Sequence, residues 1–594
     1  MQANVIGASA DTLIVTVPAG ATYQPIRVTE RLTRLVAYSS IPFDVTFANS
    51  DSTFFPSSFA APLNYIRGTN IGRFASADLN ADGKPDMVSI DFPDPIYFYN
   101  QYLSVSTNNG NGSFANKENY YVYNPGNSFG GMPPYPSILN PILNLNDMDG
   151  DGQPDIIAPF EIAGNEMRAP GASFVVVSSS MIYSSDISIS GKPELVTGDF
   201  DKDGKTDIVA MYDPFSGSVG QGYQQFVSKI RNTTINYALS FNETIDTLYN
   251  NYSYALATGD FNSDHKLDIV LVSNDSIFIL KDTSSKGKIS FARISVLPSN
   301  LNYSFSAIAV GDFDGDGLSD FAYIKYDSLT VCLNTSNLST ISFAPGKSFF
   351  TGSSSVGIAV GDLDGDGKPD IAVLNTDSNL VSLFKNTSTQ GNIEFNKKVD
   401  FPAGKDPTGI IMGDWDTDGK SDIAVITDSG KNISILRNQI GEPIPVHFCP
   451  PQDVQALRST INGSSYQWQF KMDSVFTNID TGIHYPYTFY GADSSVLLVN
   501  ATSPWYGFQF RCLVDGKYSD VYTIKFVETW TGAVDSAWEN PANWSCGITP
   551  DFNTDVIINS GTVILSSNQN IRSLSMSPNA SLTVKPPYNL TVTH

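Results

Sequence analysis

Seven copies of one acidic nonapeptide, D-x-[DN]-x-D-[GH]-x-x-D, begin at Asp78, Asp147, Asp199, Asp260, Asp312, Asp362 and Asp414. Their spacings are 69, 52, 61, 52, 50 and 52 residues, so the chain is a repeat protein with one such loop per unit. In the unit at Asp362, Gly357-Ile358-Ala359-Val360-Gly361 leads into the loop. Ile371-Ala372-Val373-Leu374, Leu380-Val381-Ser382-Leu383-Phe384 and residues 393–399 follow it. Four short apolar runs without a helical period make one propeller blade. The expectation is an all-β chain in which residues 51–440 form a seven-bladed β-propeller.

The seventh unit is one strand short. It has strand patterns at 408–412, 423–426 and 433–436 and then leaves the repeat near Gln439. Upstream of the first loop, Ser58-Phe59-Ala60-Ala61-Pro62-Leu63-Asn64 resembles the fourth-strand segment Ser342-Phe343-Ala344-Pro345-Gly346-Lys347-Ser348. An N-terminal strand is therefore expected to complete the last blade, which removes an edge that would otherwise invite aggregation.

The nonapeptide has the chemistry of a hard-cation loop. Carboxylates or amides at positions 1, 3, 5 and 9, with the main-chain carbonyl of position 7, bring oxygen ligands to one point, and glycine at position 6 permits the sharp turn. Oxygen-only ligation in a flexible cage selects Ca2+ over zinc and magnesium. The ligand sets are Asp78, Asn80, Asp82, Lys84 and Asp86; Asp147, Asp149, Asp151, Gln153 and Asp155; and Asp199, Asp201, Asp203, Lys205 and Asp207. They continue with Asp260, Asn262, Asp264, Lys266 and Asp268; Asp312, Asp314, Asp316, Leu318 and Asp320; Asp362, Asp364, Asp366, Lys368 and Asp370; and Asp414, Asp416, Asp418, Lys420 and Asp422. Up to seven calcium ions are expected. The loop at Asp260 should be the weakest, because Asn262 removes a charge and His265 stands where glycine belongs.

These units resemble the FG-GAP/VCBS repeats of integrin α-subunit propellers and of many bacterial surface proteins, over roughly residues 57–439. The closest copy is Val310-Gly311-Asp312-Phe313-Asp314-Gly315-Asp316-Gly317-Leu318-Ser319-Asp320. The resemblance implies calcium loops on the hairpin between the first two strands of each blade, with a structural role. The modules after the propeller resemble those of secreted Bacteroidetes-type proteins.

Outside the repeats the signals are weaker. Residues 1–50 carry β patterns at 12–17 and 26–29 and resemble the tail of an immunoglobulin-like module. Residues 445–528 carry strand patterns at 466–470, 495–499, 508–512 and 521–526, with Trp468 inside a strand between Cys449 and Cys512. That order suggests an immunoglobulin-like sandwich and a Cys449–Cys512 bridge, with two unpaired cysteines as the alternative. Residues 529–594 hold Trp530, Trp538 and Trp544 and five short strand patterns, which suggest a small β-solenoid or sandwich. The tryptophans are expected to pack as core more often than to stack on sugars.

Sixty acidic against 35 basic residues give a net charge of -25, which disfavours a nucleic-acid partner. Seven divalent ions would bring this to about −11, so the charge reads as metal demand. The sequence has no apolar run long enough for a membrane span, and no signal peptide is expected at Met1, since Ala3-Asn4-Val5-Ile6-Gly7 lacks a basic start and a long apolar core. Loops of this kind suit the millimolar calcium outside cells, and a mature or trimmed secreted or cell-surface protein is expected.

Only four histidines occur (His265, His447, His484 and His594), and no catalytic signature accompanies them. The leading expectation is a non-catalytic adhesion or ligand-binding protein whose partner is a surface glycan or an extracellular protein. An architectural part of a larger surface assembly and a polysaccharide-active propeller enzyme such as a lyase are the alternatives. Tyr120, Tyr121, Tyr223, Tyr249 and Tyr252 are candidate sugar contacts, with blade packing the commoner role. Asn232-Thr233-Thr234 and Asn386-Thr387-Ser388 have the form of glycosylation acceptors.

Overall fold

The computed structural model describes residues 4–8, 13–16, 24–29, 36–43, 54, 58–66, 70–92, 101–110, 112–115, 118–123, 143–162, 171–177, 182–184, 194–212, 224–235, 239–249, 253–273, 276–298, 305–449, 452–459, 461–471, 475–480, 488–577 and 580–593. They fall into two compact units, Met1–Ile440 and Gly441–His594.

Among the described residues, the first unit shows seven four-stranded antiparallel sheets in chain order. The first three are Asn70–Ala77, Asp86–Phe92, Gln101–Ser106 and Glu118–Tyr123; Asn144–Asn146, Asp155–Ile162, Gly171–Val177 and Ile182–Ser184; and Glu194–Gly198, Asp207–Tyr212, Gln224–Asn232 and Phe241–Tyr249. The next three are Ser253–Gly259, Asp268–Ser273, Ser276–Asp282 and Phe291–Pro298; Phe305–Gly311, Asp320–Lys325, Ser328–Cys332 and Lys347–Phe350; and Ser355–Gly361, Asp370–Asn375, Leu380–Phe384 and Val399–Pro402. The seventh joins Gly409–Gly413, Asp422–Thr427 and Asn432–Leu436 to Leu63–Ile66 from the N-terminal side. Each first strand lies beside the first strand of the next sheet, and Gly409–Gly413 lies beside Asn70–Ala77. The ring is therefore closed, in the manner of a propeller.

Closure follows the internal resemblance residue by residue. Phe59 bridges Asn438 as Phe343 bridges Asn334, and Asn64 pairs with Ser434 as Ser348 pairs with Thr330. Two smaller hairpins precede it, Asn4–Ala8 with Leu13–Thr16 and Gln24–Thr29 with Val36–Phe43.

Stacked sheets explain the strand sequences. Second strands such as Asp370–Asn375 and Asp422–Thr427 are buried along their whole length, which requires continuous apolar runs rather than alternation. Near the axis the first strands crowd, and a Cβ on Gly357 would meet Ile410 Cγ2 of the next sheet at 2.9 Å.

The fourth strand of the sixth sheet is Val399–Pro402, later than the expected 393–399. At or just past the end of a third strand, an asparagine keeps one bridge to the fourth segment and also holds the joint to a neighbouring sheet. Asn386 shows this. Its N–H donates to Asp370 Oδ1 (2.8 Å), and its Nδ2 donates to the carbonyls of Pro369 (3.0 Å) and of Phe313 across the joint (2.8 Å). Its Oδ1 accepts from Ser388 N (2.9 Å). Phe395, bridged to Asn386, turns its ring inward onto Phe313 and Phe384. Asn108, Asn232, Asn334 and Asn438 make the same cross-joint bonds to the carbonyls of Trp415, Met148, Phe261 and Leu363. The sequon asparagines Asn232 and Asn386 are thus fully buried staples.

The fourth sheet departs from this pattern with Asp282. Its Oδ1 accepts from Ser284 N (2.6 Å), but its buried Oδ2 has no partner where five other sheets present an amide donor. Burial raises its pKa. Asp282→Asn should restore the donors and stabilise the first unit by about 1–3 kcal/mol in urea unfolding; a variant no more stable than the parent would refute this.

In the second unit, one sheet runs Thr477–Asn478, Tyr466–Lys471, Gln509–Val514, Tyr522–Thr529, Thr554–Ile558 and Ser573–Met576. A smaller sheet of Gln452–Arg458, Val496–Thr502 and Thr488–Tyr490 accompanies it, with Trp468, Phe510 and Cys512 wholly buried in the shared core. Beyond it, Thr554–Ile558, Gly561–Leu565 and Gln569–Ile571 pair in parallel with Ser573–Met576, Ala580–Val584 and Leu590–Val592. That is six strands against the five expected. Trp530, Trp538 and Trp544 pack together as the core of this part, which removes them as sugar platforms.

The expected Cys449–Cys512 bridge is corrected to Cys449–Cys546, with Cys512 free and buried. Tyr522 pairs with both Ile444 and Phe510, so Ile444–Phe448 and Gln509–Val514 flank Tyr522–Thr529 on opposite edges. Cys449 and Cys512 are thereby kept apart. On the edge carrying Ile444–Phe448, Ser545 N donates to Thr529 O and Cys546 N to Glu528 Oε2, bringing Cys546 to Cys449.

Candidate metal loops

Each nonapeptide joins the first and second strands of its sheet, so all seven loops lie at the same end of the strands. The fold of the loop is written in its own carboxylates. The first aspartate accepts from the N–H of position 6, as Gly83, Gly152, Gly204, Gly317, Gly367 and Gly419 donate to the Oδ2 of Asp78, Asp147, Asp199, Asp312, Asp362 and Asp414. The ninth aspartate staples the loop to the sheet. Asp320, for example, accepts from Phe313 N (2.9 Å) and from Asn334 N (2.7 Å). Position 5 accepts from the N–H of position 7, as in Leu318 N to Asp316 Oδ1 at 2.8 Å.

Two positions per loop take left-handed backbone. Position 6 was legible from its glycines. Position 4 was not, although Ala81, Gly150, Lys202, Ser263, Gly315, Gly365 and Thr417 all have φ between 57 and 81. Glycine in three of the seven copies was the available signal.

His265 preserves the loop. It takes φ 62, its N–H donates to Asp260 Oδ2 (2.8 Å), and its side chain is 83% exposed with Nδ1 4.0 Å from that same oxygen. A Cβ at the corresponding Gly317 or Gly367 would meet nothing within 4 Å, so the cost of histidine is conformational and not steric. His265→Gly should stabilise the first unit by about 1 kcal/mol in urea unfolding; a destabilised variant would show that the imidazole contributes a contact.

Five buried or half-buried carboxylate triads have oxygens within 4.8 Å of one another: Asp147, Asp149 and Asp155; Asp199, Asp201 and Asp203; Asp312, Asp314 and Asp316; Asp362, Asp364 and Asp370; and Asp414, Asp416 and Asp422. These are the five loops that keep four aspartates and the glycine. Among the described residues, the loops with Asn80 and Asn262 form no such carboxylate cluster. Asn262 is nonetheless fully buried with its Oδ1 unpartnered.

Without a cation these acids are held at a cost. Burial pushes Asp155, Asp207, Asp320 and Asp422 up to about 8 and Asp268 up to about 7, and neighbouring carboxylates add to the effect. Asp370 is raised well above the ordinary carboxyl value for the same reason. Clustered hard oxygens, an orphaned amide oxygen and buried charge together fit a calcium ion.

The histidines offer no second centre in what is described. His447 lies on Ile444–Phe448 of the second unit and His265 on a loop of the first, while His484 and His594 lie outside the described residues. The side chains of Tyr120, Tyr121 and Tyr249, and the whole of Tyr223 and Tyr252, also lie outside them.

A family model for FG-GAP-like repeats matches residues 78–158, 260–323, 312–373 and 362–425. A domain of unknown function, DUF8693, matches residues 529–594. No curated protein matches the chain. Similar solved structures include an Agrocybe aegerita lectin that recognises non-reducing terminal N-acetylglucosamine, at 16% identity and TM-score 0.39 over 63% of this chain and 86% of the lectin. They also include the exotype rhamnogalacturonan lyase YesX, at 11% and 0.35 over 66% and 75%. Drosophila semaphorin 2a matches at 8% and 0.31 over 78% and 97%.

Proposed function

We propose that this chain, which carries FG-GAP-like repeats, is a non-catalytic, calcium-stabilised binding protein of the extracellular space, with a surface glycan or an extracellular protein as its ligand. The observation that supports this most is the set of five carboxylate triads. Their oxygens are bonded to loop and strand backbone, so a cation there secures hairpins and sheet joints. Such loops take calcium in the range found outside cells.

The ligand surface belongs on the rim away from the loops, where second and third strands connect. There Tyr326, Asn379, Asp428 and Ser429 hold left-handed backbone without being glycine. Strain of this kind gathers at binding surfaces. Tyr326 is 52% exposed, and Phe350, opposite Ser328 on the same sheet, is 66% exposed.

The test is a binding screen of the purified chain on glycan and matrix-protein arrays, in calcium and then in chelator. Binding that disappears in chelator supports the reading and identifies the ligand class. Silence in both buffers overturns the ligand-binding function and favours an architectural part. Release of unsaturated sugars from a polysaccharide would overturn the non-catalytic assignment.

A further inference from the structure

In four sheets the residue just before the staple position, at the end of the third strand, is a cation that reaches the loop of its own sheet. In the third sheet this is Arg231, with Nε 2.5 Å from Asp201 Oδ2 and a terminal nitrogen 2.5 Å from Asp203 Oδ2. In the sixth it is Lys385, whose side chain is only 8% exposed; its ammonium bonds to Asp364 and lies 2.9 Å from Asp366 Oδ2. Arg437 Nε lies 3.2 Å from Asp416 Oδ2, and Lys281 Nζ lies 3.5 Å from Asp264 Oδ2. The first and fifth sheets place Thr107 and Leu333 at this point.

The targets are always positions 3 and 5. Their Oδ1 atoms serve the loop backbone, as in Asp203 N to Asp201 Oδ1 and Lys205 N to Asp203 Oδ1, leaving Oδ2 for a cation. The third and fifth sheets make a controlled pair. In both, a glycine N–H from the following sheet donates to the position-3 Oδ2: Gly287 to Asp201 at 2.8 Å and Gly391 to Asp314 at 2.6 Å. What differs is the charge at the strand end, Arg231 against Leu333. Position 7 of the fifth loop is also uncharged, as Leu318.

We propose that Arg231 and Lys385 are built-in counterions that compete with calcium for the third and fifth carboxylates of their loops. The loop at Asp312, which lacks such a cation, is then the tight, calcium-responsive site, and the loops at Asp199 and Asp362 are self-neutralised and weak. This rests on the calcium reading given above. A fixed positive charge in contact with the ligand oxygens either has to be displaced by the incoming ion or repels it, and at this range either costs at least about tenfold in affinity. The chain thus divides its loops between those that keep their shape at low calcium and those that tighten only when calcium is met.

The test uses the full chain stripped with chelator, titrated with calcium by calorimetry and melted in chelator. K385M and R231M should each make one weak site about tenfold tighter and lower the melting midpoint in chelator. L333K should weaken the tightest site about tenfold and raise that midpoint, and it remains informative if the first two variants fold poorly. A purely structural Lys385 would lower the midpoint in chelator without moving any calcium affinity, and that result overturns the inference. Calcium uptake whose affinities ignore all three substitutions overturns this inference alone. No uptake by any form overturns the calcium reading and this inference with it.

Discussion

Removing calcium at neutral pH is expected to lower the melting midpoint of the first unit by roughly 10 °C, and the loss should shrink as the pH falls. A site held at ten times its dissociation constant contributes about 1.4 kcal/mol. With calcium high enough to hold even the weaker loops at that ratio, five loops contribute at least about 7 kcal/mol, and a unit this large moves by roughly 1–2 °C per kcal/mol. The pH dependence comes from the ninth aspartates, which burial pushes up to about 8 in Asp155, Asp207, Asp320 and Asp422 when no cation balances them. Folded carboxyls raised above an ordinary value of 3.8 hold protons more tightly than the unfolded chain does. Their contribution is complete below 3.8 and is lost as the pH rises through 8. In chelator the first unit should consequently melt higher at pH 5 than at pH 8, the reverse of most acid-sensitive proteins. In saturating calcium the carboxylates stay ionised against the ion, and the slope should flatten or change sign. Calorimetry at both pH values in both buffers decides it; a chelated protein that is weaker at the lower pH would refute the role assigned to these acids.

Breaking the Cys449–Cys546 bridge should be the other large effect, confined to the second unit. The bridge spans 97 residues, and closing a loop of that length restricts the unfolded chain by about 4–5 kcal/mol in the chain-entropy account. Cys449→Ser with Cys546→Ser should lower the midpoint of the second unit by roughly 10–15 °C while the first unit melts unchanged. Thiol counting checks the pairing itself. Cys332 and Cys512 are wholly buried and should resist alkylation in the folded protein. Unfolding without reductant should release those two thiols, and adding reductant should release the remaining pair. Labelling of Cys449 in the unreduced, unfolded chain would refute the bridge.

What could be read from the sequence divides by the range of the interaction. The loops were legible because a tight turn forces its ligands into fixed positions, so Asp312 to Asp320 spells out its own geometry. Closure was legible because Ser58 to Asn64 repeats a pattern found elsewhere in the chain. The staple asparagines were not. Asn386 is recognisable only when Phe313 of another sheet stands beside it, and in sequence it resembles a glycosylation acceptor. The cysteine pairing failed for a related reason. Trp468 between two cysteines suggested a familiar order, whereas the partner is set by which edge of Tyr522–Thr529 each neighbour takes. Position 4 stayed hidden because Lys202, Ser263 and Thr417 give no sign of their left-handed backbone.

The seventh sheet also places a clock on synthesis. Ser434 donates to Asn64 across 370 residues of chain, and among the described residues Leu63–Ile66 has no other partner strand. A ribosome moving at about 5–20 residues per second needs on the order of 20–70 s to cover that distance. During this interval the early segment has emerged and its partner does not yet exist. The first six sheets can form in order as they appear, each on the one before, but the ring stays open until residue 436 is released. The nascent chain therefore offers two free flanks, on the first sheet and on the newest one, for as long as translation continues. Escort of this chain during synthesis is a matter of shielding those flanks, and the ring closes by an encounter between the oldest of its strands and the newest of them.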